Sequence, residues 1–113
     1  MMARNAHYVD GEWIDGTDTF ESENPATGES LGTFPRGTET DVARAVEAAE
    51  SAFGEWRERS YIDRAEHLWE VYAELKARTD ELGELVAREC GKEIGEGRAD
   101  IVEAAHMVEW AAG

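Results

Sequence analysis

The stretch Arg36-Gly37-Thr38-Glu39-Thr40-Asp41-Val42-Ala43-Arg44-Ala45-Val46 is where the chain changes its period. Thr38-Glu39-Thr40-Asp41 has the form of a helix-capping motif. Behind it Val42, Ala45, Val46, Ala49, Phe53 and Trp56 recur at helical spacing, in steps of three and four. Before this stretch no such recurrence exists. His7-Tyr8-Val9 and Glu12-Trp13-Ile14 flank Asp10-Gly11, and Asp-Gly between β-formers predicts a hairpin because both residues tolerate positive φ. Asp15-Gly16 marks a second turn, and Thr17 to Ser22 a further strand. Asn24-Pro25-Ala26-Thr27-Gly28-Glu29 marks another turn, and Leu31-Gly32-Thr33-Phe34 a strand ended by Pro35. Residues 7–36 thus read as one small antiparallel unit, with strands too short to be stable without something to pack against.

After residue 38 the chain reads as helices. Ser60-Tyr61-Ile62-Asp63 repeats the capping pattern, and Ile62, Ala65, Trp69, Tyr72 and Leu75 line one face with Leu68 beside them. Asp80 is placed to cap a third helix carrying Leu82, Leu85 and Val86, with Gly91 as its C-terminal stop. Ile101, Ala105, Val108 and Ala112 form the stripe of a fourth, which is still running at Gly113. The fold class expected is α/β: a β-hairpin unit followed by about four amphipathic helices, in one domain over residues 1–113. Trp56, Trp69 and Trp110 fall on apolar helix faces, where core packing is the default role, and Trp13 is placed to cover a face of the hairpin.

The 113 residues carry 26 acidic against 11 basic side chains, a net charge of −15. Such a field repels nucleic-acid phosphates and anionic membrane surfaces. Only Lys76 and Lys92 are lysines, and acid this dense with lysine this scarce points to a cytoplasm of high salt, where screening removes most self-repulsion. No run approaches the ~18 consecutive apolar residues of a membrane span. Met1 to Asn5 leads into polar sequence rather than a signal-peptide core, and the single cysteine forbids an internal disulfide framework. The chain reads as soluble and cytoplasmic.

Each chemical candidate has a structural competitor. Cys90 lies between Arg88 and Lys92, cations able to lower a thiol pKa, but no histidine is near it in sequence to serve as base. A half-buried thiol at a helix end is the expected role. Glu103-Ala104-Ala105-His106 has the Glu-x-x-His spacing of carboxylate-bridged metal bundles, which require a second such pair that the sequence lacks. Gly91-Lys92 and Gly95-Glu96-Gly97 do not complete a phosphate loop or a dinucleotide fingerprint, since Val86 and Asp100 stand where glycine is needed.

The ordered set Tyr8-Val9-Asp10-Gly11-Glu12-Trp13, Asn24-Pro25-Ala26-Thr27-Gly28-Glu29, Asp41 to Ala49 with Phe53 and Trp56, Arg64-Ala65 with Leu68, Gly91-Lys92-Glu93-Ile94 and Glu109-Trp110-Ala111-Ala112-Gly113 resembles the opening of the aldehyde dehydrogenase superfamily. The resemblance implies a partial fold that stops before the nucleotide-binding parallel sheet. It also implies NAD(P)-dependent oxidation of an aldehyde by a longer, homo-oligomeric enzyme. In that family a cysteine thiolate attacks the carbonyl, hydride passes to the nicotinamide, a glutamate is the base, and an asparagine holds the oxyanion. None of those groups matches a position here, and Cys90 matches the helix end before Gly-Lys rather than the nucleophile. No catalytic and no cofactor-binding residue is therefore expected in this chain, and neither NAD nor NADP is expected to bind it alone. The resemblance implies one monovalent-cation site, at Ser22, Glu23 and Asp100. The partner implied is the remainder of the enzyme or a full-length relative. Two other readings stand beside the inactive segment of an oxidoreductase: an autonomous acidic interaction module on the same scaffold, and a metal-binding helical protein using His106.

Overall fold

In the computed structural model, residues 6–113 are described; the polar N-terminal stretch read above at Met1 to Asn5 lies outside them. Four strands, β1 (His7–Val9), β2 (Glu12–Ile14), β3 (Thr19–Glu23) and β4 (Ser30–Pro35), precede four helices, α1 (Glu39–Glu58), α2 (Tyr61–Ala77), α3 (Thr79–Cys90) and α4 (Ile94–Ala112). The α/β class, the four helices and the change of period at residue 38 agree with the sequence. The strands do not form one unit: β1 pairs only with β2 and β3 only with β4, in two separate sheets.

The chain divides into two compact units. One comprises the residues up to Ser22 with Ser30–Glu58, and the other Glu23–Glu29 with Arg59–Gly113. In the first, β1 and β2 pair antiparallel in the register His7↔Ile14, Tyr8↔Trp13, Val9↔Glu12. The connecting residues Asp10 and Gly11 have φ of 53° and 79°, the two consecutive left-handed positions of a type I′ turn. Tyr8 and Trp13 meet across the ladder with ring centroids 5.0 Å apart. Phe20 and Phe34 do the same on β3 and β4 at 6.0 Å, with the Arg36 guanidinium over Phe20 and ion-paired to Asp18 at 3.2 Å.

Helix α1 begins with a reciprocal cap. Thr38 Oγ1 accepts from the Asp41 N–H at 3.2 Å, while the Asp41 carboxylate accepts from the Thr38 N–H at 2.8 Å and from its hydroxyl at 2.7 Å. These hydrogen bonds to its charged form hold the Asp41 carboxyl below the ordinary aspartate value. No residue of α1 is buried, and its predicted apolar face is open, with Val42 61%, Val46 52% and Phe53 59% exposed.

The second unit is built on α4, which packs against both α2 and α3. Ser60 caps α2 by accepting from the Asp63 N–H at 3.1 Å. Asp80 does not cap α3. Arg78 is both the last cap of α2 and the first of α3, and the Thr79 hydroxyl donates back to the carbonyls of Leu75 and Lys76. No cap turn separates the two helices, so Asp80 falls inside α3 and instead pairs with Arg98 at 2.8 Å. The core is made of small residues. Gly83 and Ala87 on α3 meet Gly97, Ile101 and Ala105 on α4, all buried. A Cβ on Gly83 would stand 2.8 Å from Arg98 Cα, and one on Gly97 would fall on the Gly83 carbonyl oxygen. The backbones touch here, and only glycine permits it.

Trp69 is 39% and Trp110 81% exposed, and Trp56 on α1 is 39% exposed, so these three tryptophans are not core residues of this chain. The side of α2 that is covered runs through Ala65, Leu68, Tyr72 and Leu75, leaving Ile62 and Val71 outside. The predicted stripe of α4 does face inward, with Ile101 and Ala105 buried and Val108 and Ala112 half-buried.

Candidate functional site

The densest chemistry among the described residues lies where α3 ends. Gly91 terminates the helix in the left-handed conformation, φ 67°, and its N–H and that of Lys92 both donate to the Ala87 carbonyl. The Asn24–Glu29 turn rests against this glycine, so closely that a Cβ there would stand 2.7 Å from Pro25 Cγ and 2.9 Å from the Ala26 N–H nitrogen. Asn24 is the anchor of the turn and, among the described residues, the one buried polar side chain. Its side-chain oxygen accepts from the Ala26 N–H at 2.9 Å, and its backbone carbonyl accepts from the Gly28 N–H at 2.7 Å. Arg88 adds an ion pair to Glu29 at 3.6 Å.

Lys92, released by the turn at Gly91, reaches forward to Asp100 on α4, Nζ to Oδ2 2.5 Å. That carboxylate, by hydrogen bond first and then by charge, holds the Lys92 ammonium above the ordinary lysine value; Cys90 and Glu96 add to the effect. The sequence singled out both Lys92 and Asp100, but not as a pair. They are eight positions apart across a helix break, a spacing that no single-helix rule relates.

Cys90 is the last residue of α3, as expected, but it is exposed rather than half-buried. It stands on the same side of α3 as Val86 and Ala87, four and three positions on, but in the final turn, beyond the residues that are covered. Glu103 and His106 share one face of α4 with 3.9 Å between His106 Nδ1 and the carboxylate, both exposed. Among the described residues no three His, Cys, Asp or Glu side chains converge as a metal-binding group. Of the residues implied for a monovalent cation, Ser22 is half-buried and Glu23 exposed at the end of β3. Asp100 stands on α4, its carboxylate engaged by Lys92.

Two grooves accompany these groups. In the second unit a groove of about 450 Å³ runs along α2 and α3 over Val71, Leu75 and Leu82, flanked by Glu70, Glu74 and Arg78. Its one strong cation is already taken, since Arg78 grips Glu81 through two hydrogen bonds of 2.9 Å. In the first unit a groove of about 360 Å³ separates the β1–β2 turn from Ala45, Ala48, Ala49 and Ala52 of α1. Neither groove has a nucleophile with a base beside it. No described helix is long and apolar enough to cross a membrane.

Comparison with known proteins accounts for the order in this fold. The Aldehyde dehydrogenase family profile matches residues 13–113. The chain is 39% identical over 109 residues to malonate-semialdehyde dehydrogenase 1 of Geobacillus kaustophilus, covering 95% of this chain and 22% of the relative. It is 35% identical over 112 residues to glutarate-semialdehyde dehydrogenase of Pseudomonas putida, covering 97% and 23%. Its structure matches the crystal structure of succinate-semialdehyde dehydrogenase from Burkholderia pseudomallei with a TM-score of 0.92 at 39% identity, over 96% of this chain and 23% of that one. A betaine aldehyde dehydrogenase from Staphylococcus aureus, solved in complex with NAD+, matches at 0.92 with 29% identity over 97% and 23%. The chain spans less than a quarter of the length of the relatives it matches. The partial fold expected from the sequence is what these matches describe, and the chain belongs to the aldehyde dehydrogenase family.

Proposed function

We propose that this polypeptide is the N-terminal segment of an NAD(P)-dependent dehydrogenase that oxidises an aldehyde to an acid, and that it is inactive by itself. The observation that carries the reading is the match of 96% of this chain to only 23% of a succinate-semialdehyde dehydrogenase, at a TM-score of 0.92. The exposed apolar residues of α2 and α4, above all Val71, Met107 and Trp110, support it, because a domain complete in itself seldom leaves such side chains in water. The names of the relatives at 35–39% identity favour an ω-carboxyl aldehyde as the substrate class of the whole enzyme.

In this reading the chain supplies scaffold rather than chemistry. The small-residue crossing of α3 and α4 sets the position of the Gly91–Lys92 turn, and the Lys92–Asp100 pair ties that turn to α4. NAD or NADP, when bound to the longer enzyme, supplies the hydride acceptor. The residues of this chain offer it no Gly-rich strand-to-helix cradle. The carbonyls of Ser22 and Glu23, with Asp100, belong to the reading as a monovalent-cation site, in which the Lys92 ammonium competes for the carboxylate. The acid-rich, lysine-poor composition supports reading its home as a salt-rich cytoplasm. The test is direct: the purified 113-residue chain should form no NADH or NADPH from succinate semialdehyde or betaine aldehyde. Steady formation that is abolished by Cys90→Ala would overturn the reading.

A further inference from the structure

Between β3 and β4 the chain leaves one compact unit for the other and comes back. The residues up to Ser22 and from Ser30 onward belong with α1, whereas Glu23–Glu29 belong with α2, α3 and α4. The turn of this hairpin is thus part of a helical unit to which β4 and nearly all of β3 do not belong. Its own hydrogen bonds hold it closed. The Asn24 N–H donates to the Glu29 carbonyl at 2.8 Å, and the Asn24 carbonyl accepts from the Thr27 and Gly28 N–H groups at 3.2 and 2.7 Å. Thr27 Oγ1 accepts from the Glu29 N–H at 3.2 Å. Pro25 fixes its own φ, and Gly28 takes the left-handed conformation, φ 74°. A loop ordered in this way loses little further freedom when it docks. Its seat is the hollow left by the missing side chain of Gly91, where Pro25 Cγ and the Ala26 nitrogen crowd the place of a Cβ. Arg88 on α3 pairs with Glu29 beside it.

We propose that the Asn24–Glu29 turn is a strap: seated in the Gly91 notch, it makes the β3–β4 hairpin depend for its stability on the α2–α4 helices. The hairpin has little else to hold it. Its strands pair only with each other, and every residue of β3 except Ser22 is exposed. A two-stranded hairpin of this length is marginal in water by itself. The strap stands apart from the functional reading above, since it needs neither cofactor nor substrate. Two left-handed glycines separate the strap from the turn's own geometry, because they make different demands. A Cβ on Gly28 would meet nothing within 4 Å, so that position requires only the conformation. Gly91, with φ 67°, requires both the conformation and the space. Asparagine tolerates left-handed φ, so at Gly91 it meets the first demand and violates the second.

The test is native-state hydrogen exchange, read by NMR, on the 113-residue chain in molar KCl. The Asn24 N–H reports on the strap. The Arg36 N–H, which donates to the Asp18 carbonyl at 2.8 Å, reports on the far end of the hairpin, and the amides of Ile101 and Ala105 report on α4. Gly91→Asn should speed exchange at Asn24 and Arg36 by roughly tenfold and leave Ile101 and Ala105 unchanged. Gly28→Asn should leave Arg36 and both α4 amides at the parent rate. Pro25→Gly empties the notch from the strap's side without touching α3 or its cap, and it should reproduce the Gly91→Asn pattern; it decides the matter where Gly91→Asn unfolds the helices. Parent-rate exchange at Arg36 in Pro25→Gly overturns the proposal, as does an Arg36 amide already unprotected in the parent. Loss of protection at Ile101 and Ala105 in Pro25→Gly overturns it too, because the turn would then be part of the helical core rather than a strap upon it.

Discussion

Replacing glycine by alanine at two helical positions should have opposite effects, and the contrast tests the packing account at its centre. Gly54 lies inside α1 with no neighbouring atom within 4 Å of where a Cβ would sit. Gly54→Ala gains only the helix propensity, about 0.8–1 kcal/mol. Gly97 lies inside α4 against the backbone of α3, where a Cβ would meet the Gly83 carbonyl oxygen, the Ala87 nitrogen at 3.1 Å and the Ala87 Cβ at 3.2 Å. A backbone carbonyl cannot rotate away, so the helices must part at the point where Ala87, Ile101 and Ala105 are buried. Overpacking of this kind costs about 3 kcal/mol at the upper end of its usual range, and the same propensity gain offsets roughly 1, leaving a net loss of ~2 kcal/mol. At ~4–8 °C per kcal/mol for a domain of this size, Gly97→Ala should melt roughly 10 °C below the parent, and Gly54→Ala about 5 °C above it. Circular dichroism melts in molar KCl read both. A Gly97→Ala chain that melts at or above the parent would refute the close crossing of α3 and α4.

Three further outcomes follow from the charges and the caps. Because the folded pKa of Asp41 is depressed, its stabilising contribution is present above the ordinary value of 3.8 and is lost as pH falls through the lower folded value. Carbon-detected NMR titration should show Thr38→Val returning Asp41 toward that ordinary value, and an unmoved titration would contradict the reciprocal cap. Calorimetry with NAD and NADP should give no saturable heat at millimolar ligand, since the field is negative and no helix N-terminus is framed by a Gly-rich turn; micromolar binding would contradict this. Melts should be shallow at about 0.1 M salt and gain helix content and cooperativity at molar KCl, as screening relieves repulsion among 26 acidic groups. A steep low-salt melt of a monomer would count against the segment reading.

Local signals were legible where one short stretch determines its own geometry. Asp10-Gly11 specified its turn because both residues tolerate positive φ, and both adopt it, in succession. Thr38 with Asp41, Ser60 with Asp63, and Gly91 each satisfied backbone groups within four residues of themselves. What could not be read was set by non-local contact. Gly97 appeared only as part of a failed phosphate-loop pattern, and its role depends on Gly83, fourteen positions earlier on another helix. Asp80 looked like a cap because the sequence does not show that Arg78 closes one helix and opens the next. Trp69 and Trp110 have the apolar periodicity of core residues, and periodicity gives the face without saying whether anything covers it. The same limit applies to function. The family was visible in ordered motifs along the chain, whereas the pairing of Lys92 with Asp100 needed coordinates.

The central claim, that this sequence is the opening segment of a longer aldehyde-oxidising enzyme, is tested most directly by the mass of the native polypeptide. Antibody against the 113-residue chain, followed by intact-mass spectrometry of what it captures from the source cells, gives that mass. Since the 12.5 kDa chain covers 23% of the succinate-semialdehyde dehydrogenase it matches, the account predicts a species of about four times its mass, near 54 kDa. A single stable species of 12.5 kDa would contradict it.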